Sequence, residues 1–460
     1  MLTEYEINKA KRLLPNGFSH LDLTDEKFVK AFLSCFDDDT EATIIIGPGG
    51  CGKSEIYRAV ATSYGDKALC LAMTGIAARN LETVNVRPRT TIGGLGIVPP
   101  KPFYNSYDVY GKAFAALRHK DVVMIDEISM CSSNLLSLII RTLRTVNLER
   151  KKRIKLLLYG DPMQIPPVFE SDKLKPFIEA DPDLQKKWPF QYSTELAKMS
   201  KSVHVLEKIY RQADRQFVDV LNRLRNGQST DTDMDYLNKR VSNPHDNALI
   251  LGATNAEIDE INRQMIEKLG TPAMRFEAEF VLGSEIKDPA AFSPVIELHE
   301  GERVVCTRNA YDEDGEPIYR NGTIGNIVGF QSCGCEGVLP VVRSDDGNEF
   351  IVHQTRFEDS KFVKNDEGKY EYVPVAAAYQ IALKPAYGLT FHKSQGLSLQ
   401  SAHILVPKGT PAPGMLYMAV SRVRSPSGLT LSEPVTKSMF RVSPSSAQYI
   451  RESKEKPFIR

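Results

Sequence analysis

Short apolar runs recur along the chain, and helical spacing fills the gaps between them. "ATIIIG" (42–47), "KALCLAM" (67–73), "DVVMID" (121–126) and "IKLLLYG" (154–160) are compact and almost free of polar residues. Such runs predict strands buried on both faces of a parallel sheet. Helical patterns over 54–63 and 132–146 separate them, and this alternation predicts a doubly wound α/β layer. A second strand series is expected after about residue 200, in "VHVLE", "NALILGAT" and, much later, "SAHILVP". Residues 301–375 differ. "ERVVCTRN", "GTIGNIVGF", "GVLPVVRS" and "NEFIVHQTRF" are separated by Gly, Asp and Asn turns with no helical period between them. That stretch predicts a small all-β insertion in the second of two α/β halves.

Composition narrows the picture a little. The 460 residues carry 58 basic and 58 acidic side chains, so any polyanion-binding surface must come from local arrangement rather than net charge. No apolar run approaches the length of a transmembrane helix, and the first residues lack a secretory pattern. Scattered cysteines point to a reducing, cytoplasmic setting (a host cytoplasm or nucleoid if the source is viral). Cys333 and Cys335 stand as a lone C-x-C, which reads as a glycine-rich turn rather than a zinc site.

Candidate chemistry changes the picture more. Gly47-Pro-Gly49-Gly50-Cys-Gly52-Lys53-Ser54 directly follows a strand and matches G-x-x-x-x-G-K-[ST]. The glycines let backbone N–H groups close round a β-phosphate, Lys53 neutralises β/γ charge, and Ser54 offers a hydroxyl to Mg²⁺. "VVMIDEISM" places Asp126 and Glu127 at a strand end, where Asp126 holds Mg²⁺ through water and Glu127 polarises an attacking water. A third strand ends in "LLLYGDPMQIPPV", with Gln164 on the side where a γ-phosphate belongs.

Together these segments resemble superfamily 1 helicases, closest to the 5′-to-3′ branch of Pif and RecD-like enzymes. Further along, "EKIYRQ" (207–212), "ATNAEIDEINRQ" (253–264), "GLTFHKSQG" (388–396) and "LYMAVSRVRS" (416–425) are similar to later motifs of that family, in family order. The resemblance implies an α/β fold of two RecA-like motor domains, each a parallel sheet flanked by helices. The first would span 1–175, with an excursion at about 95–118, and the second 176–300 and 376–460. A barrel-like, Src-homology-like insertion would occupy 301–375. It implies ATP and Mg²⁺ as cofactors. Arg211 and Arg422 become arginine fingers, suited by their permanent charge and planar fork to a transition state with spreading negative charge. Gln395 would couple the γ-phosphate site to a DNA track lined by Thr74, Gly75, Thr254, Asn255, Thr390, His392 and Ser394, whose small polar groups bond phosphates without reading bases.

Departures from the family pattern are visible. "HLDLTDEKFVKAF" has no glutamine where the family reads adenine, and "RTTIGGLGI" has Gly93 where a histidine is usual. Selectivity for adenine is therefore open. "VPPKPFYNSYDVYGKAF" interleaves Phe103, Tyr104, Tyr107 and Tyr110 with Lys101 and Lys112. These rings either stack on a base at the fork as a strand-separating pin or pack the loop onto the core. The leading reading is a DNA helicase moving along single-stranded DNA, a monomer acting on single-stranded and forked duplex DNA. Single-strand-binding or replisome proteins would be its partners. Replication, recombination and repair fit equally. A translocase that strips proteins with little unwinding, and a nucleotide kinase or switch, remain as alternatives.

Overall fold

The computed structural model describes residues 2–95, 113–167, 190–211, 214–246, 248–286, 292–313, 317–364, 370–456 and 458–459. The chain divides into two compact units, one of Met1–Ala253 with Phe391–Arg460, the other Thr254–Thr390.

The first unit is built on a seven-stranded sheet. Its strands are β1 (Ala42–Ile46), β2 (Ala68–Ala72), β3 (Arg89–Thr90), β4 (Val122–Asp126), β5 (Lys155–Gly160), β6 (Lys201–Val205) and β10 (Phe458–Ile459). The order is β10-β6-β1-β5-β4-β2-β3. Every neighbouring pair is parallel except β10 with β6. The apolar runs behave as their composition requires: each residue of β1, β4 and β5 is buried. Successive side chains leave opposite faces, so Ile44 and Ile46 pack in one core while Ile45 joins the other. Helix α4 (Ser133–Arg150) covers the first face with Leu136, Ile139, Ile140, Leu143 and Val146. On the second face, α1 (Glu26–Ser34) and α2 (Lys53–Tyr64) contribute Phe28, Phe32, Ile56, Tyr57 and Val60.

One expectation is corrected. The run at 203–207 does not open the second strand series, because β6 pairs in register with β1, Val203 opposite Ile44. A short apolar run between loops carries no mark of which sheet it will join, and packing alone decides. The first unit also holds β7 (Leu249–Gly252), β8 (Ala402–Ile404) and β9 (Leu429–Leu431), parallel with β8 in the middle. Helices α3 (Gly75–Leu81), α5 (Arg215–Arg225) and α6 (Met415–Val420) belong to the same unit.

The second unit begins with the helix Asn255–Glu267 and continues largely as antiparallel β-structure. Its five-stranded sheet runs Glu349–Ile351, Val338–Ser344, Ile324–Ser332, Arg303–Cys306, Leu383–Pro385. Val304, Ile327, Leu339, Val342, Phe350 and Val352 fill its core. The strand–turn reading of 301–375 agrees with this architecture, and the α/β class with a β-rich insertion is the fold found.

Candidate nucleotide-binding site

The carboxyl ends of β4, β5, β1 and β6 lie side by side, which is where open parallel sheets bind ligands. They deliver Asp126, the Gln164 turn, the phosphate loop and Arg211 respectively. A cavity of about 340 Å³ opens there, lined by Gly49, Gly50, Gly52, Lys53, Ser54, Asp126, Glu127, Gln164, Arg211 and Arg422, all of the first unit. Its volume falls within the usual range for small-molecule sites.

The phosphate loop leads straight into α2, whose first residue is Lys53. Gly52 precedes it with φ 89°, and a Cβ there would stand 2.9 Å from the Phe28 ring, so only glycine fits. The α2 N-terminus and its free amides thus face the cavity as an anion site. Lys53 Nζ donates to the carbonyls of Gly47 and Pro48, both at 2.8 Å. Gly50 accepts from the Tyr210 amide at 2.8 Å, tying the loop to the segment that carries Arg211. Cys51 is buried and small enough to pack beside Gly47.

Asp126 is buried, and its pKa is raised, first by desolvation and then by the neighbouring Glu127 charge. Glu127 occupies the left-handed region at φ 52°, uncommon for a residue with a side chain and characteristic of functional positions. Its Oε2 accepts from Gln395 Nε2 at 3.0 Å, and the same amide donates to Ser129 Oγ at 3.1 Å. Two arginines close the other side. A Cβ on Gly49 would stand 3.6 Å from Arg422 Nη2 and 3.9 Å from Arg211 Nη1. Burial and the adjacent Arg422 lower the Arg211 pKa to about 10. Burial lowers that of Arg422 too, against the pull of Glu127. Arg422 is anchored by its own helix, donating to the carbonyl of Met418 at 3.0 Å and to Ser421 Oγ at 2.9 Å.

Several polar atoms at this place are buried without a hydrogen bond among the described residues: Arg211 Nη1, Gln164 Oε1 and Gln395 Oε1. The unmet Arg211 donor at a strand-end cavity, with free helix amides, fits the accepting oxygens of a triphosphate. Ser54 and Asp126 both line the cavity, and their oxygens suit a hard divalent cation such as Mg²⁺.

The expected DNA-contact residues separate. Thr74 caps α3, its side chain accepting from the Ala77 amide, and Gly75 is the first residue of that helix. His392 is half-buried, and desolvation lowers its pKa. Ser394 is fully buried and donates to the Phe391 carbonyl at 2.8 Å. In the second unit, Thr254 caps the helix that Asn255 opens, both exposed, and Thr390 is buried at the end of the strand Gly388–Thr390. Phe103 and Tyr104, with most of the aromatic excursion, lie outside the described residues.

Other residues of the site escaped the sequence reading. His20, Asp22, Phe28 and Tyr210 also line the cavity. Asp161, three residues before Gln164, is completely buried in a two-pronged ion pair with Arg225. Only the Gly-Asp-Pro turn hinted at Asp161, and nothing local marks its partner.

Comparison with known proteins agrees with this geometry. A family model described as PIF1-like helicase matches residues 24–235. The ATP-dependent DNA helicase PIF1 of Homo sapiens is 27% identical over 399 residues, covering 85% of this chain and 58% of that protein. The ATP-dependent DNA helicase Pif1 of Bdellovibrio bacteriovorus is 28% identical over 407 residues, covering 85% and 84% respectively. The chain spans a little over half the length of several curated relatives it matches. A crystal structure of Bacteroides Pif1 bound to single-stranded DNA superposes with TM-score 0.77 at 24% identity, over 94% of this chain and 97% of that one. No described helix is long and apolar enough to cross a membrane.

Proposed function

We propose that the chain, which matches a PIF1-like helicase family model over residues 24–235, is a helicase of that family: an ATP-driven DNA helicase of superfamily 1 that moves along single-stranded DNA, 5′ to 3′, and unwinds forked duplex. The observation that carries this reading is the convergence at Gly49. Two arginines from segments far along the chain, Arg422 buried and Arg211 partly buried, reach a phosphate loop that also faces Glu127. A kinase or simple nucleotide switch needs neither the acid after Asp126 nor the second arginine.

In this scheme the α2 amides and Lys53 bind the β- and γ-phosphates. Ser54 and Asp126 hold Mg²⁺, which neutralises phosphate charge when bound. Glu127, oriented by Gln395, takes the proton of the attacking water. Arg211 and Arg422 stabilise the charge that develops on the transferred phosphoryl group, and their buried surroundings strengthen that effect. Gln164 and Gln395 meet the γ-phosphate end, so its loss is felt at the turn after β5 and at the His392 segment. Thr74, Gly75, Thr254, Asn255, Thr390, His392 and Ser394 belong to the DNA grip, with Phe103 or Tyr104 as the pin. The enzyme works as a monomer in the cytoplasm or nucleoid, with single-strand-binding or replisome proteins as partners.

Strand displacement on duplexes with 5′ or 3′ tails, alongside ATP hydrolysis with and without single-stranded DNA, tests this. Hydrolysis stimulated by single strands, with displacement from 5′ tails only, is expected. Stimulation without displacement would make the chain a protein-stripping translocase, and hydrolysis indifferent to DNA would end the motor reading. Lys53→Ala and Arg422→Ala should each lower DNA-stimulated turnover by about 10³-fold or more.

A further inference from the structure

Three buried polar groups are given no task by this scheme. Tyr417 lies on α6, the helix that leads into Arg422, and is 4% exposed. Its hydroxyl lies 3.4 Å from Asp161 Oδ2. The backbone of Gly49, in the phosphate loop, faces the Tyr417 hydroxyl. Asp161 is in turn clamped by Arg225 at the end of α5: Nε reaches both carboxylate oxygens at 3.2 and 3.1 Å, and Nη2 reaches Oδ1 at 2.8 Å. Oδ1 also accepts from the Met163 amide at 3.1 Å, in the turn that ends at Gln164.

A second contact joins the same parts without side chains. Gly414, the N-cap of α6 at φ 78°, approaches so closely that a Cβ there would stand 2.4 Å from the Met163 carbonyl oxygen and 2.8 Å from the Gln164 carbonyl carbon. The start of α6 therefore rests on the Gln164 turn, and Tyr417 reaches from that helix to the phosphate loop. A plain structural staple would need no phenol facing the phosphate loop. Buried ion pairs also seldom stabilise a fold beyond what apolar residues of the same size achieve. Retaining a polar set here points to geometry rather than to stability.

We propose that Tyr417 is a positioning residue: held by the Asp161–Arg225 pair, its hydroxyl ties Gly49 of the phosphate loop to α6 and so sets where Arg422 meets the γ-phosphate in the transition state. The inference rests on reading the cavity as a site of nucleotide hydrolysis. Because Tyr417 acts through Arg422, its loss should weaken the transition state more than the ground state.

Tyr417→Phe tests this, since it removes one oxygen and keeps the ring. Affinity for ADP and for ADP with aluminium fluoride, a mimic of the transferring phosphoryl group, is measured with single-stranded DNA and Mg²⁺ present. The variant should lose about tenfold in affinity for the mimic, as expected for one hydrogen bond, while ADP binding stays within about twofold. The turnover number should fall in parallel with KM unchanged. Arg225→Lys, which keeps the charge but not the fork, should show the same bias. If the ratio of the two affinities changes by less than about threefold in both variants, a merely structural role is left and the inference is overturned. If the unaltered chain neither binds ADP nor hydrolyses ATP, the underlying reading falls and takes this inference with it.

Discussion

Behind the Gln164 turn Asp161 is completely buried and lies within hydrogen-bonding reach of Arg225, Tyr417 and the Met163 amide. In the β-rich unit Glu302 is just as completely buried, yet its carboxylate accepts only from the His299 amide at 2.9 Å, and Oε1 has no partner among the described residues. The two acids respond oppositely. Burial pushes the Asp161 pKa up, but the Arg225 charge overcomes it and holds the group below its ordinary value. Burial pushes Glu302 up to about 7, with little to oppose it. The same desolvation thus yields a retained charge where a guanidinium is supplied, and a proton-binding group where none is.

Asp161→Asn offers the harshest test of that contrast. It strands the Arg225 guanidinium, and breaking such a pair from one side costs about 3–5 kcal/mol. Denaturant unfolding should show that loss, and Asp161→Leu with Arg225→Met should recover most of it. Recovery of stability without recovery of turnover would sharpen the distinction between holding the fold and placing the site.

Glu302→Gln probes the other side. The folded state holds the Glu302 proton more tightly than the unfolded chain does, so the native group imposes no penalty below its ordinary value of 4.5. The penalty grows as pH rises from there to about 7 and is constant above it. Glutamine keeps an acceptor for the His299 amide and cannot ionise. It should therefore stabilise the protein by about 3 kcal/mol at pH 8 and by little at pH 4, measured by unfolding across pH. Equal effects at both pH values would show that Glu302 ionises freely. Lys27→Ala should do least. Its partner Glu207 is half exposed, as is Lys27 itself, and such pairs contribute about 1 kcal/mol or less.

Much of the site was legible because its residues sit next to features that declare themselves. Lys53 and Ser54 follow a strand and a glycine cluster, and Asp126 ends an apolar run, so strand tip and chemistry coincide in the sequence. Glu127 follows Asp126 at the same strand tip and was legible with it, whereas Arg211 and Arg422 were found through resemblance to a family's order of motifs, since an isolated arginine in a loop looks like any surface charge. Tyr417 stood inside one of those motifs but reads as one more apolar-face residue. Arg225 sits on a helix whose Leu and Phe spacing explains it fully. The partners of both lie far along the chain, and no local pattern encodes them.

The sequence by itself determined that the runs at 42–47, 67–73, 121–126 and 154–160 become strands, where the phosphate loop must sit, and that 301–375 is β-rich. Each follows from short-range physics: side-chain periodicity, β-branched runs and the backbone freedom of glycine. Tertiary structure decided that β6 pairs with β1 rather than opening the second series. It also decided that Glu127 turns left-handed toward Gln395, and that Asp161 rather than Glu302 receives an arginine. These depend on which distant surfaces exclude water together, and burial sets the energy of a charge only once its neighbours are in place.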